Sequence, residues 1–372
     1  MASPFRFAVV SDPHVTLPQT LHDSPNRFHL MEVSVPVLES ILRSLETQAL
    51  DFLLLPGDLT QHGERENHHW LVNRLKALPF PTYVVPGNHD IITRDGCDRT
   101  LSLREFPQAY SVFGYDQDEP YYCREVLPGV HLIGLNSIAF DAEGQQLTRG
   151  YVEDDQLHWL SAQLEALAGQ WVMVMIHHNV LEHLPGQAKH PLGKRYILKN
   201  RQALIRQLTN QGVNLLFTGH LHVQDIAQTE TLCEITTGSL VSYPHPYRII
   251  TMTPQTTGQM QVQVETFRVP AVQDWPDLQA SSLQWMCDRS QPFMIKLLTN
   301  PPFGLAPDKA EHLAPVLKDF WATIAAGDGD FDYPQMPPAV NQRLRAFGAV
   351  DAQGAHHPID NDTTLLLPVV ES

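Results

Sequence analysis

Short, near-continuous apolar runs that stop abruptly at polar clusters dominate the first 220 residues of the chain. FRFAVV (5–10) ends at Ser11-Asp12-Pro13-His14, DFLLL (51–55) at Gly57-Asp58 and PTYVV (81–85) at Gly87-Asn88-His89-Asp90. WVMVMI (171–176) ends at His177-His178-Asn179, and VNLLFT (213–218) at Gly219-His220-Leu221-His222. VHLIGLN (130–136) is a sixth run of the same kind. Such runs read as strands buried on both faces. Between them, residues 30–49, 64–78, 152–167 and 197–210 carry apolar side chains at helical spacing. Alternation of the two predicts an α/β fold. After Gly219 the pattern changes, and residues 223–228, 231–236, 247–253 and 259–268 read as consecutive strands that extend the sheet or form a second one. From about residue 272 helical patterns return (275–289, 308–326, 339–347), separated by proline and glycine clusters. The expected organisation is an α/β domain over 1–270 followed by a mostly helical extension over 271–372. Packing, dimer contact and a cap over a site are the roles open to that extension, so a homodimer is one expectation.

Composition narrows the partners. Lys and Arg total 25 against 41 Asp and Glu, a formal net charge of −16. With no excess positive charge to displace counterions from a phosphate backbone, no extended nucleic acid is expected as partner. No apolar run approaches the ~20 residues that span a bilayer, so no membrane is expected. The start, MASPFRFAVV, lacks the charged, apolar and cleavage regions of a signal peptide. Four cysteines (Cys97, Cys123, Cys233, Cys287) are scattered without close pairing. Both features lead to the expectation of a cytoplasmic protein without a disulfide framework.

Ligands of open α/β sheets bind beyond the carboxyl ends of the strands. Five strand ends would deliver Asp12, His14, Asp58, Asn88, His177, His220 and His222 to one rim. Carboxylate and amide oxygens with imidazole nitrogens suit divalent transition metals, and manganese, iron, zinc and cobalt all accept such donors. The absence of cysteine disfavours a thiolate zinc site. Seven donors are too many for one tetrahedral ion. They suit two ions ~3.5–4 Å apart sharing a carboxylate, the arrangement that clamps both oxygens of a phosphoryl displacement.

The order D-x-H, G-D, G-N-H-D, H-H and G-H-x-H resembles that of the calcineurin-like metallophosphoesterases, from residue 7 to about 253. By motif form it is most similar to the class III cyclic-nucleotide phosphodiesterase and glycerophosphodiesterase branch. The resemblance implies a four-layer α/β/β/α sandwich. It implies that Asp12, His14 and His222 hold one metal, that Asn88, His177 and His220 hold the other, and that Asp58 bridges them. It further implies a metal-bridging hydroxide as nucleophile, with His89 on the scissile phosphate assisting the leaving oxygen. Asp90, beside His89, is expected to orient its imidazole. The substrate so implied is a small soluble phosphodiester, either a cyclic nucleotide or a glycerophosphodiester. A phosphomonoesterase or nucleotide pyrophosphatase using the same centre is the alternative, because loops rather than metal ligands choose the substrate. A non-catalytic metal-binding scaffold is the third reading.

Several further residues are candidates for substrate contact. His178 adjoins a ligand, and His62 follows the Asp58 loop, whereas His68 and His69 read as a solvated helix start. The segment SLVSYPHPYR (239–248), between two predicted strands, offers Tyr243, His245 and Arg248. Arginine suits phosphate recognition, and an ordered proline-rich turn is the competing reading of this segment. In the extension, Trp275, Trp285, Phe293, Trp321 and Phe347 read as core or docking anchors.

Overall fold

A computed structural model describes residues 3–22, 27–351 and 353–369. In chain order its strands are β1 (Phe5–Val9), β2 (Phe52–Leu55), β3 (Thr82–Val84), β4 (Tyr122–Leu127), β5 (Val130–Leu135) and β6 (Trp171–Ile176). They continue with β7 (Leu215–Thr218), β8 (Asp225–Gln228), β9 (Cys233–Thr236), β10 (Pro246–Pro254), β11 (Gln259–Arg268) and β12 (Thr363–Pro368). Two six-stranded mixed sheets result, with orders β12-β11-β10-β1-β2-β3 and β4-β5-β6-β7-β9-β8. The first is parallel across β1, β2 and β3, the second across β5, β6, β7 and β9.

The runs FLLL and LLFT are buried at every position, as strands covered on both faces must be. One face of each sheet packs on the other. Phe7 stacks on Phe52 with centroids 4.6 Å apart and meets Phe217 of the second sheet edge-on at 5.4 Å. Helix Ser34–Glu46 packs Val37, Leu38, Ile41, Leu42 and Leu45 into this core cluster. Its Pro36 stands in the first turn, where a missing N–H removes no helical hydrogen bond. Helices Asp154–Ala166 and Arg201–Asn210 pack Leu160, Leu164, Leu204 and Leu208 against Val172, Val174 and Leu216 of the second sheet. The layers are therefore α/β/β/α. Among the described residues no helix is long and apolar enough to cross a membrane.

The differences from expectation have local causes. β4, YCREVL, was not anticipated because its half-polar pattern gives no apolar run, yet it pairs antiparallel with β5. Helix Leu278–Thr299 continues through Pro292 instead of ending near Arg289. Burial of Met286, Met294, Leu297 and Leu298 along it outweighs the broken hydrogen bond. The expected helix over 308–326 is divided into Pro307–Leu313, a 3-10 turn at Ala314–Leu317, and Phe320–Ala326. The extension is also not helical to its end. β12 pairs antiparallel with β11 and buries alternate residues Leu365 and Leu367, so its last described strand belongs to the first sheet.

Candidate metal centre

Backbone strain marks the rim where the parallel strands end. Asp12 (φ 49°), His14 (41°), Asp58 (47°), His220 (66°) and His222 (60°) all adopt left-handed conformations. Non-glycine residues rarely do so, at a cost of ~1–3 kcal/mol each, and such strain concentrates at functional sites. Neighbouring turns hold one another: His14 N donates to Asp58 O at 2.9 Å and Asp12 N to Gly57 O at 3.3 Å. A Cβ at Gly87 would overlap the Asp58 backbone and carboxylate, and one at Gly219 would overlap the side chains of Ser11 and Asp12. Glycine is required at both positions by close approach.

Two donor clusters share Asp58. In the first, ligand atoms of Asp12, His14, Asp58 and His222 lie within 4.8 Å of one another. His222 Nε2 is 3.1 Å from Asp12 Oδ1 and 3.3 Å from His14 Nε2, which is 3.6 Å from Asp58 Oδ2. In the second, His177 Nε2 is 3.3 Å from the same Asp58 oxygen, 3.1 Å from His220 Nδ1 and 3.1 Å from Asn88 Oδ1. The far nitrogens are anchored outside: His177 Nδ1 donates to Pro56 O at 2.8 Å and His220 Nε2 to Arg195 O at 3.3 Å. Anchoring fixes the tautomers and points the other lone pairs inward.

Burial holds His14 and His220 well below the ordinary histidine pKa, so their rings are neutral donors. Burial also opposes charge on Asp58 and His177, but their mutual attraction wins. It holds the carboxyl well below its usual range and lifts His177 to about 9. Ring nitrogens facing each other at 3.1 and 3.3 Å need positive charge between them, either a shared proton or a cation. Convergent nitrogen and oxygen donors around one shared carboxylate fit two divalent cations.

Residues 5–224 match the calcineurin-like phosphoesterase family. The chain belongs to this family. It is 28% identical over 174 residues to a 3′,5′-cyclic-nucleotide phosphodiesterase from Nostoc, covering 46% of this chain and 56% of the relative. It is 30% identical over 128 residues to a probable glycerophosphodiester phosphodiesterase from Arcobacter nitrofigilis, covering 34% and 41%. A probable cyclic nucleotide phosphodiesterase from Fibrobacter succinogenes is 25% identical over 185 residues, covering 49% and 61%. These matches span about half the length of the relatives. The fold also resembles that of a dimetal phosphatase from Danio rerio (TM-score 0.53, 14% identity, 71% of this chain and 98% of that one).

In this calcineurin-like phosphoesterase, His89 stands beside the shared carboxylate. Its backbone N donates to Asp58 Oδ1 at 2.8 Å and its Nδ1 to Gln61 O at 2.7 Å, which leaves Nε2 for a ligand. Asp90 does not orient it, contrary to expectation. The fully buried Asp90 carboxylate instead accepts from Leu59 N, Thr60 N, Thr60 Oγ1 and Gly87 N. It staples the Asp58 loop to the Asn88 loop, while burial and the nearby Asp58 push its pKa up to about 7.

The proposed substrate contacts fare differently. His178 is buried behind His220, ring centroids 4.2 Å apart, with Nδ1 on Ser137 Oγ at 2.8 Å. Burial pushes it to about 3, so it is a neutral support of the centre and not a substrate contact. The His62 ring lies 6.1 Å from that of His89 and outside the cavity lining. His68 is buried against Tyr110 Oη at 2.8 Å rather than solvated.

Arg248 is fully buried and donates to Asp360 O (2.6 Å), Thr236 O (3.0 Å) and Thr266 Oγ1 (3.2 Å). β10 begins at Pro246, one residue before the expected start, and the Arg248 side chain faces the interior. His245 is also buried, with Nδ1 donating to Leu240 O at 2.8 Å, and burial lowers it to about 4. Tyr243 packs with Met286, Ala322 and Ala325 outside the cavity lining. All three are structural, a correction to the substrate role read from the segment.

Other residues went unread. A cavity of about 510 Å³ opens over the donors and takes part of its lining from His29, Arg195 and Tyr196. The His29 ring lies 4.4 Å from that of His222 and 5.2 Å from that of His14, and one of its nitrogens joins theirs in a third cluster. Arg195 stacks over Tyr196, 4.5 Å from the ring centroid. No local pattern marks these residues; only the fold brings them to the rim.

Proposed function

We propose that this protein is a two-metal phosphodiesterase that hydrolyses a small phosphodiester, a cyclic nucleotide or a glycerophosphodiester. One observation carries the reading: two converged donor clusters share Asp58, and His89, hydrogen-bonded to that carboxylate, stands on the cavity side. Asp12, His14 and His222 would hold one divalent cation, Asn88, His177 and His220 the other. Manganese, iron, zinc and cobalt all suit these donors. When bound, such a pair supplies Lewis acidity toward phosphoryl oxygens and a nucleophile active near neutral pH.

The protein's own groups do the remainder. Gln61 O fixes the His89 ring through Nδ1–H, so in the imidazolium form Nε2–H can donate a proton or hydrogen bond to the leaving oxygen. Arg195 pairs with a non-bridging phosphate oxygen through a charge-assisted hydrogen bond. Among the described residues it is the one lysine or arginine that lines the cavity, and Phe28, Met286, Phe293 and Trp321 form apolar parts of the lining. One cation and an apolar wall suit the single negative charge and two organic substituents of a diester better than a dianionic monoester. The activities named for the cyclic-nucleotide and glycerophosphodiester relatives support the same choice.

The test is metal-dependent hydrolysis of p-nitrophenyl phosphate and bis(p-nitrophenyl) phosphate by manganese-loaded protein, with chelated protein as control. Faster cleavage of the diester is expected. Faster cleavage of the monoester would move the reaction to a phosphatase, and no metal-dependent turnover of either would overturn the reading.

A further inference from the structure

Part of the catalytic cavity is built by the carboxyl-terminal extension, outside the residues that match the family (5–224). Met286 and Phe293 come from helix Leu278–Thr299, and Trp321 from helix Phe320–Ala326. The Phe293 and Trp321 rings lie 5.2 Å apart and inclined at 59°, presenting an angled pair instead of a closed stack. Phe28 and Tyr196 join the same lining. The long helix is pinned to this place: Trp285 Nε1 donates to Phe28 O at 3.0 Å, and the Arg27 guanidinium lies 5.3 Å from the Trp285 ring centroid.

The cavity thus combines two chemistries. Asp58, Asn88, His89, His220, His222 and Arg195 supply charge and hydrogen bonds, whereas the extension supplies mostly carbon and sulfur. We infer that this wall selects the ester group the phosphate retains, taking a planar aromatic ring in preference to a polyol or small alkyl group. The inference rests on the phosphodiesterase reading above. Aromatic side chains and methionine offer large, polarizable surfaces that gain most from another ring. A glycerol group against the same wall would bury hydroxyls with few partners, which is unfavourable. The cavity of about 510 Å³ lies within the range of small-molecule sites and holds a phosphate with a ring attached.

The test uses the full manganese-loaded chain and three diesters that share p-nitrophenolate as leaving group. Their retained esters are methyl, phenyl and thymidine 5′. Rates are divided by those of the uncatalysed reactions. In the wild type, kcat/KM for a ring-bearing ester is expected to exceed that for the methyl ester by about tenfold or more, the scale of one filled apolar subsite. Phe293→Ala and Trp321→Ala should each lower that ratio by about fivefold, chiefly through KM.

If either alanine variant fails to fold, Phe293→Leu and Trp321→Leu keep apolar volume but remove the ring face, and the same ratio is read. Preference for the thymidine ester assigns the wall to a nucleobase, and preference for the phenyl ester to a smaller ring. A wild-type ratio near one, or a ratio unmoved in well-folded variants, overturns the inference while metal-dependent turnover persists. Loss of metal-dependent turnover of all three esters would instead overturn the phosphodiesterase reading and this inference with it.

Discussion

Asp90→Asn separates a carboxylate that holds the site together from one that takes part in chemistry. Asp90 Oδ1 accepts from Thr60 N at 2.8 Å and Thr60 Oγ1 at 3.1 Å; Oδ2 accepts from Gly87 N at 2.8 Å and Leu59 N at 3.0 Å. Asparagine keeps one acceptor oxygen and places an amide donor against the other pair of donors. Two of the four hydrogen bonds are lost whichever way the amide settles. At about pH 8 the carboxylate is ionised, since burial and Asp58 raise it only to about 7.

A hydrogen bond to a charged group contributes ~1.5–3 kcal/mol, so the loss is about 3–6 kcal/mol, with rotation of the Thr60 hydroxyl favouring the lower end. At about 2 °C per kcal/mol for a large chain, Tm falls by about 6–12 °C. The two loops that Asp90 joins carry Asp58 and Asn88, so metal affinity should drop by about 10–100-fold, and excess manganese should restore most of kcat. Scanning calorimetry and a metal titration of diester hydrolysis measure both effects. An unchanged Tm together with a kcat reduced by more than about 100-fold at saturating metal would refute the reasoning and return Asp90 to the chemistry.

Other substitutions test the remaining assignments. His89→Ala should lower kcat by about 10²–10⁴-fold while metal content measured by mass spectrometry stays at the wild-type value; an undiminished kcat excludes it as the acid. Arg195→Ala should raise KM about tenfold with little change in kcat, the signature of lost substrate binding in steady-state kinetics. Arg248→Ala should lower Tm through the unmade bonds to Asp360 O and Thr236 O, whereas a KM effect in a protein of wild-type stability would restore it to the substrate site.

His183 is buried between Asp225 (2.5 Å) and Glu234 (3.0 Å). Burial disfavours its charge, but the two carboxylates outweigh that and raise it to about 10. Because its folded pKa exceeds its unfolded one, its contribution to stability is complete below about pH 6.5 and is lost as pH rises through about 10. The fall in Tm across that window should flatten in His183→Gln, and an unaltered profile contradicts the pairing.

The layers and the metal rim were legible because both are written locally. An apolar strand such as FLLL reports burial on both faces, and the Gly-Asp or Gly-His-x-His that follows reports what its end presents. Parallel strands bring those ends together without any longer-range information. Arg248 and His245 misled because a position at the start of a strand does not tell which way its side chain faces: Arg248 turns inward onto Asp360 O and Thr236 O, and His245, just before β10, bonds back to Leu240 O. Asp90 misled because adjacency in sequence to His89 says nothing about which donors its carboxylate meets. His29 and Arg195 were silent, and Phe293 and Trp321 were read only as core or docking anchors, for a third reason: each reaches the cavity only through packing of segments far apart in the chain. β12 is similar, since its partner β11 lies about a hundred residues earlier.

Stepwise return of manganese to chelated protein, followed by diester hydrolysis after each addition, tests the shared-Asp58 centre most directly. The account predicts that activity rises until two equivalents per chain are bound and then levels off. In Asp58→Ala it predicts that this rise is abolished. Full activity in the chelated protein, or an Asp58→Ala variant that titrates like the wild type, would contradict it.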